Sequence, residues 1–166
     1  MQGQFDSPLT VLGTSQAENT GKFLRSHVSG DHTLSVLSSP LGRALHTAKI
    51  VCGEIGCDSG AIIQDPKLME ANHGSWSGLT KEDVKRKFPK EFYERKNDHW
   101  HFRFPEGESY ADLSIRAEEW CSKVSDSRGS AIVVTHEMMS RCIRGYYLGL
   151  DSESTLQLSH PHNHIY

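Results

Sequence analysis

Three side chains in this sequence have the types and settings that phosphate chemistry needs: Arg43, Glu70 and His136. Arg43 follows Ser38-Ser39-Pro40 near the start of an apolar-periodic segment. There a guanidinium fork and the free N–H groups of a helix start together make an anion seat. Glu70 lies in the glycine- and tryptophan-bearing stretch Leu68 to Gly78, where partial burial would raise a carboxyl pKa enough for it to donate a proton. His136 follows Ala131-Ile132-Val133-Val134-Thr135, and from the end of a strand an imidazole can donate to a phosphoryl oxygen. Each has a plainer reading: Arg43 as a solvated helix residue, Glu70 as a loop charge, His136 as a cap. Joint placement favours a site, because open α/β sheets bind ligands in the crevice at the carboxyl ends of their strands.

The elements that must position these groups alternate along the chain. Thr10 predicts an N-cap after the Pro8 turn, with a helix running to about His27 on Leu12, Gln16, Phe23, Leu24 and Val28; Gly13 and Gly21 weaken that signal. Leu34 to Leu37 reads as a strand. Ser39 then caps a helix with Pro40 in its first turn, and Leu41, Leu45, Ala48, Cys52 and Ile55 form its core face. Ala61-Ile62-Ile63 is a further short strand, and Leu68 to Gly78 an ordered loop. Lys81–Lys87 and Glu91–Trp100 are two short charged helices separated by Pro89. Tyr110, Leu113, Ala117, Trp120 and Val124 mark an amphipathic helix capped by Ser109. The run Ala131 to Val134 predicts a buried strand, and Met138 to Leu148 a helix. Trp76, Trp100 and Trp120 read as packing residues.

Composition narrows the function classes. The 166 residues fit one domain. With 18 basic against 21 acidic residues and a net charge of −3, no basic face for nucleic acid is indicated. No apolar run approaches the roughly 18 residues of a membrane span. Cys52, Cys57, Cys121 and Cys142 match no zinc spacing and read as reduced thiols of a cytoplasmic protein. His160, His162 and His164 alternate and would share one face of a strand, but Pro161 interrupts them and no carboxylate or cysteine accompanies them.

The ordered set of motifs resembles the histidine phosphatase (phosphoglycerate mutase-like) superfamily. The matching stretches are Gln2 to Thr10 with Gly13 and Gln16-Ala17, then Ser38-Ser39-Pro40-Leu41-Gly42-Arg43-Ala44 with Thr47-Ala48. They continue through Leu68-Met69-Glu70 with Gly74 and Gly78, Gly107-Glu108-Ser109, and Val134-Thr135-His136. The resemblance implies an α/β fold, a three-layer α/β/α sandwich with a mainly parallel sheet, as a single domain over residues 1–166. It implies that Arg43 grips phosphate, that Glu70 is the general acid, and that His136 is the second histidine, which hydrogen-bonds the phosphoryl group. Gln2 and Gly3 fall where the early loop contacts substrate and phosphate, and Asn163 where a polar residue is common. It further implies a small phosphorylated substrate, a cytoplasmic setting compatible with a homodimer, and neither cofactor nor metal.

Two departures qualify this. The family's signature strand ends in Arg-His-Gly, which carries the phospho-accepting histidine, and no such tripeptide occurs in the sequence. The expectation is therefore a domain lacking its first, central strand and shortened at its C-terminus as well. Glu137 stands where the family has glycine; its backbone N–H can still face phosphate, while its carboxylate repels a dianion unless it points away. Three functions follow as alternatives: hydrolysis of a small phosphomonoester through a phosphohistidine, a non-catalytic phosphate-binding domain, and a phosphoglycerate mutase. A metal-binding module built on the histidine tail is the weaker fourth.

Overall fold

The computed structural model describes residues 1–28, 33–125, 129–161 and 164–166. By internal contacts the chain forms two compact units. A sheet unit comprises Ser7–Met69, Val124–His136 and Ser159–Tyr166; a helical unit comprises Met1–Asp6, Glu70–Lys123 and Glu137–Leu158. The fold is α/β with an all-parallel three-stranded sheet.

In the sheet unit, α1 (Val11–Val28) starts where the sequence indicates, with Thr10 Oγ1 accepting from the Gly13 N–H at 3.0 Å. Its buried face differs from expectation. Ala17 and Gly21 are buried, while Leu12 and Phe23 are 68% and 55% exposed. The reason is close helix packing: a Cβ on Gly21 would lie 2.6 Å from Glu54 Cβ and 3.2 Å from Val51 Cα, so α1 meets α2 (Gly42–Ile55) through small residues. Strand β1 (Ser35–Ser38) pairs on one side with β2 (Ile63–Gln64) and on the other with β3 (Ala131–Val134). Val36, Ala48 and Cys52 form the core here, joined by Ile55, Ile62, Ile132 and Val134.

Four expectations need correction in this unit, the first being the strand over Ala61-Ile62-Ile63: Ala61 ends a 3-10 turn, and only Ile63, with Gln64, pairs as strand. Helix α2 begins after Leu41, whose ψ of 132° is extended, so Pro40 lies outside the first turn and Ser39 is not its cap. Its core face is Ala44, Ala48, Val51 and Cys52, and Leu41 and Leu45 are only half-buried. Strand β3 is not fully buried: Ala131 is exposed and Ile132 to Val134 are half-buried. Among the described residues β3 pairs with β1 alone, and four apolar residues in a row do not reveal how many neighbours a strand has.

The helical unit holds α3 (Lys81–Lys87), α4 (Pro89–Asn97), α5 (Tyr110–Ser125), α6 (Glu137–Leu148) and α7 (Ser152–Gln157). Thr80 and Asp83 form a reciprocal capping box at α3, and Pro89 opens α4 from its first turn. Ser109 caps α5, its Oγ accepting from the Asp112 N–H at 3.1 Å. Helix α7 was not expected; Asp151 starts it by accepting from the Ser154 N–H at 2.8 Å. The core is aromatic and sulfur-rich: Trp76, Phe104, Tyr110, Leu113, Met138, Met139 and Cys142 pack together. Trp120 is buried as expected, and Trp100 stacks on Tyr110 with ring centroids 5.9 Å apart.

Among the described residues no helix is long and apolar enough to cross a membrane. The four cysteines are free thiols. His162 and Asn163 lie outside the described residues, and among the described ones no three metal-binding side chains gather.

Candidate active site

Parallel pairing puts the carboxyl ends of all three strands at one edge of the sheet. Strand β1 runs out into Ser38-Ser39, β3 into Thr135-His136. Ser39 and His136 are both buried, and His136 Nε2 and Ser39 Oγ are hydrogen-bonded at 2.8 Å. The same Oγ accepts from the Leu41 N–H at 3.3 Å, so Ser39 orients the imidazole and the approach to α2 together. The Thr135 hydroxyl donates to the Leu68 carbonyl at 2.7 Å, which fixes the loop two residues before Glu70. Arg43 sits half-buried in the first turn of α2, just past the end of β1. The sheet unit thus brings two predicted residues, Arg43 and His136, to the carboxyl ends of neighbouring strands.

The helical unit holds the rest. Glu70 is 8% exposed, and its carboxylate is met by backbone donors. Oε1 accepts from Ala71 N–H at 3.0 Å and Met139 N–H at 3.4 Å, Oε2 from Met138 N–H at 3.3 Å. Two of those donors belong to the first turn of α6, so Glu70 satisfies orphan N–H groups of a helix start, where negative charge is favoured. Burial nevertheless dominates and pushes its carboxyl above the usual glutamate range. The three N–H groups pull it back, and the Glu137 carboxylate adds to the upward push. A buried carboxyl that holds its proton well past the usual range is what a general acid needs.

The backbone around Glu70 is clamped. Its carbonyl accepts from Gln4 Nε2 at 3.1 Å and from Arg116 Nη2 at 3.4 Å. Arg116 also grips Glu108 through Nε and Nη2, at 3.2 and 3.1 Å, and Glu108 in turn accepts from the Asn72 N–H at 2.7 Å. Gly3 is buried with φ +54°, and a Cβ there would come within 2.8 Å of the His73 ring, so glycine lets the early loop close on the residue-70 loop. Gln2 beside it is exposed. Glu137 points its carboxylate into an ion pair with Arg141 at 2.8 Å.

A cavity of about 700 Å³ opens against Glu70 within this unit. Lys81 from α3, Arg95 and Lys96 from α4, His99 beyond it and Arg141 from α6 line it, facing the carboxylates of Glu70 and Glu137. Arg141 is held by three bonds: to Glu137, to Tyr110 Oη at 3.1 Å, and through Nε to the Leu158 carbonyl at 2.8 Å. Arg95 lies over the Phe104 ring with 5.3 Å to its centroid, and burial works against its charge while Tyr110 and Glu137 support it. None of these cations was singled out from the sequence. The available signal was weak: Arg95 and His99 four apart at the end of a charged helix, and Arg141 four residues after Glu137.

Comparison with known proteins follows the same lines. The sequence matches the model of the Histidine phosphatase superfamily (branch 1) over residues 1–166. It is 30% identical over 156 residues to the 6-phosphofructo-2-kinase/fructose-2,6-bisphosphatase of Aquarana catesbeiana, covering 94% of this chain and 31% of that one. It is 28% identical over 156 residues to the fructose-2,6-bisphosphatase of Saccharomyces cerevisiae, covering 94% and 32%. The chain spans about a third of the length of these two curated relatives. Among solved structures, the alpha-ribazole phosphatase from Shigella flexneri superimposes with a TM-score of 0.83 at 26% identity, over 95% of this chain and 76% of that one. Bacillus stearothermophilus YhfR gives 0.78 at 27% identity, over 96% and 77%. The chain belongs to the histidine phosphatase superfamily, branch 1.

Proposed function

We propose that this chain handles phosphate as part of a phosphomonoesterase whose substrate carries a second anionic group, in the manner of a sugar bisphosphate. One observation carries the substrate half of that reading: the cavity beside Glu70, lined elsewhere by apolar and aromatic side chains and by Glu137, gathers Lys81, Arg95, Lys96, His99 and Arg141. Basic side chains gathered around a cavity favour an anion, and a plain monoester leaves most of them unused. The names of the fructose-2,6-bisphosphatase relatives support the same class. In the reaction that the family resemblance implies, Arg43 and His136 would meet the charge on the transferring phosphoryl group, and Glu70 would protonate the leaving alkoxide. The acceptor is a histidine in an Arg-His-Gly segment, as the family resemblance implies; Glu70 then deprotonates the water that hydrolyses the intermediate.

The test uses a form carrying an Arg-His-Gly strand ahead of Met1, assayed on fructose 2,6-bisphosphate and on p-nitrophenyl phosphate. A kcat/KM preference for the bisphosphate that collapses in Arg95→Gln supports the reading; equal kcat/KM for the two substrates removes it. A second reading is a phosphate-binding domain without catalysis. Inorganic phosphate that binds both forms, with turnover in neither, would select it.

A further inference from the structure

The cationic wall contains one group whose charge is not permanent. His99 lies two residues beyond the end of α4 and lines the cavity with part of its surface open to solvent. Arg95 of α4 and Arg141 of α6 line the same cavity, and their positive charges act on its ring. The other titratable groups around the same cavity are Lys96 of α4, Lys81 of α3, Tyr110 of α5, Glu137 of α6, and Glu70 and His73 of the connecting loop. Glu137 is committed to Arg141 at 2.8 Å, so the groups bearing on His99 are chiefly cations.

Partial burial and those two guanidinium groups hold the His99 imidazole below the usual histidine range. A dianion placed among the same groups reverses the sign of the push, because opposite charge within a few ångströms favours the protonated ring. Linkage then requires that binding takes up a proton and that a bound proton strengthens binding by the same factor.

We propose that His99 makes anion binding in this cavity proton-coupled, because its ring lines the same wall as Arg95 and Arg141, where a bound dianion favours the protonated imidazole. Affinity for the second anionic group therefore rises as the pH falls from about 7.5 towards 5.5, and a substrate without that group shows no such gain. This rests on the reading of the cavity as the seat of a second anion. It makes His99 a specificity residue whose contribution is set by pH, where a lysine would contribute at every pH.

Inorganic sulfate is the probe, because it stays a dianion throughout this interval while a phosphate monoester titrates within it. Calorimetric titration of the chain should give a Kd roughly five- to tenfold tighter at pH 5.5 than at pH 7.5. Buffers of different ionisation enthalpy should show proton uptake, and the NMR titration midpoint of the His99 ring should rise when sulfate is present. In His99→Gln the pH dependence and the proton uptake should fall well below those of the wild type, leaving only the part that the raised Glu70 carboxyl of the same cavity contributes; in His99→Lys binding should be tight at both pH values. Arg95→Gln should weaken binding at both, which locates the ion in the cavity. If His99→Gln keeps the wild-type pH dependence, the coupling belongs to another group and the proposal is overturned. Absence of sulfate binding at any pH, or binding unaffected by Arg95→Gln, overturns the reading of the cavity itself.

Discussion

The two units of this molecule prepare for phosphate in different ways. In the sheet unit the work is done by backbone topology: parallel strands deliver Ser39 and His136 to the same edge, and one 2.8 Å bond fixes the imidazole. In the helical unit it is done by side chains gathered from separate elements: cations from α3, α4 and α6 converge on one cavity beside Glu70. In the proposed function the first arrangement would serve any phosphoryl group, since it would recognise what all phosphoesters share. The second can be re-specified by single substitutions without disturbing the sheet. The contrast therefore separates common chemistry from substrate choice.

The largest effect expected is at Glu70, which lies in the helical unit and is the general acid of the proposed reaction. In a form carrying the Arg-His-Gly strand, Glu70→Gln should lower kcat by about 10²- to 10⁴-fold for a poor leaving group such as a sugar alkoxide. The loss should be much smaller for p-nitrophenolate, which leaves without a proton. Equal losses for both leaving groups, measured in one series, would remove the general-acid assignment.

Next come two substitutions that set the units against each other. Arg95→Gln should raise KM about 10- to 100-fold for a bisphosphate, the range for a lost charged hydrogen bond, and leave a simple monoester unchanged. Ser39→Ala should instead slow every substrate alike by roughly three- to tenfold, since it frees the His136 ring from a neutral hydrogen bond. If Ser39→Ala discriminates between substrates, or Arg95→Gln does not, the division of labour between the units fails.

The same contrast explains what the sequence made legible. Strands, helix caps and strand-end residues are local signals, so Thr10, Ser109, Arg43, Glu70 and His136 could be picked out by type and spacing. The cavity is tertiary: Lys81, Arg95 and Arg141 are ordinary surface cations until three helices bring them together, and no local period records that. Helix α7 leaves little local signal because five of its six residues are polar, Leu156 being its one apolar side chain and Thr155 its one buried residue. At β3 the composition was read correctly as strand and wrongly as buried, because pairing partners are not written in the strand itself. Ser39 was taken for a helix cap because Ser-Pro before an apolar period carries that signal, and its bond to His136 spans 97 residues.

A stability measurement probes Glu70 without relying on turnover. Its carboxyl is raised in the folded protein above the ordinary 4.5. The folded state therefore keeps a proton that the unfolded chain has released. Glu70 contributes stability fully below about pH 4.5, and that contribution is lost as the pH rises through its folded value. Relative to Glu70→Gln, which does not titrate, the wild type should lose up to about 1.4 kcal/mol per pH unit over that interval. Denaturant unfolding at pH 4, 5, 6 and 7 reads the slope directly. A flat difference between the two proteins would mean that the Ala71, Met138 and Met139 N–H groups outweigh burial, and that Glu70 is a helix-capping carboxylate with an ordinary charge.

The smallest effects expected are at two helix caps, one in each unit. Thr10 is exposed and its Oγ1 accepts one bond, from the Gly13 N–H. Thr10→Ala should cost about 0.5–1 kcal/mol, the low end for a lost cap. Ser109 is 4% exposed, and its hydroxyl accepts from the Asp112 N–H while donating to Asp112 Oδ2, which also accepts from the Ser109 N–H. Asp112 is held below the usual carboxylate range by those bonds and by the Arg103 guanidinium, against the opposing push of burial. Ser109→Ala strips two of those contacts from a partly buried network and should cost about 1–2 kcal/mol. Because α5 carries Tyr110, which accepts from Arg141, loosening its first turn should also weaken sulfate binding in the cavity. Thr10→Ala should leave that binding unchanged. A Ser109→Ala protein that is destabilised yet binds sulfate like the wild type would show that the cavity does not depend on the α5 cap.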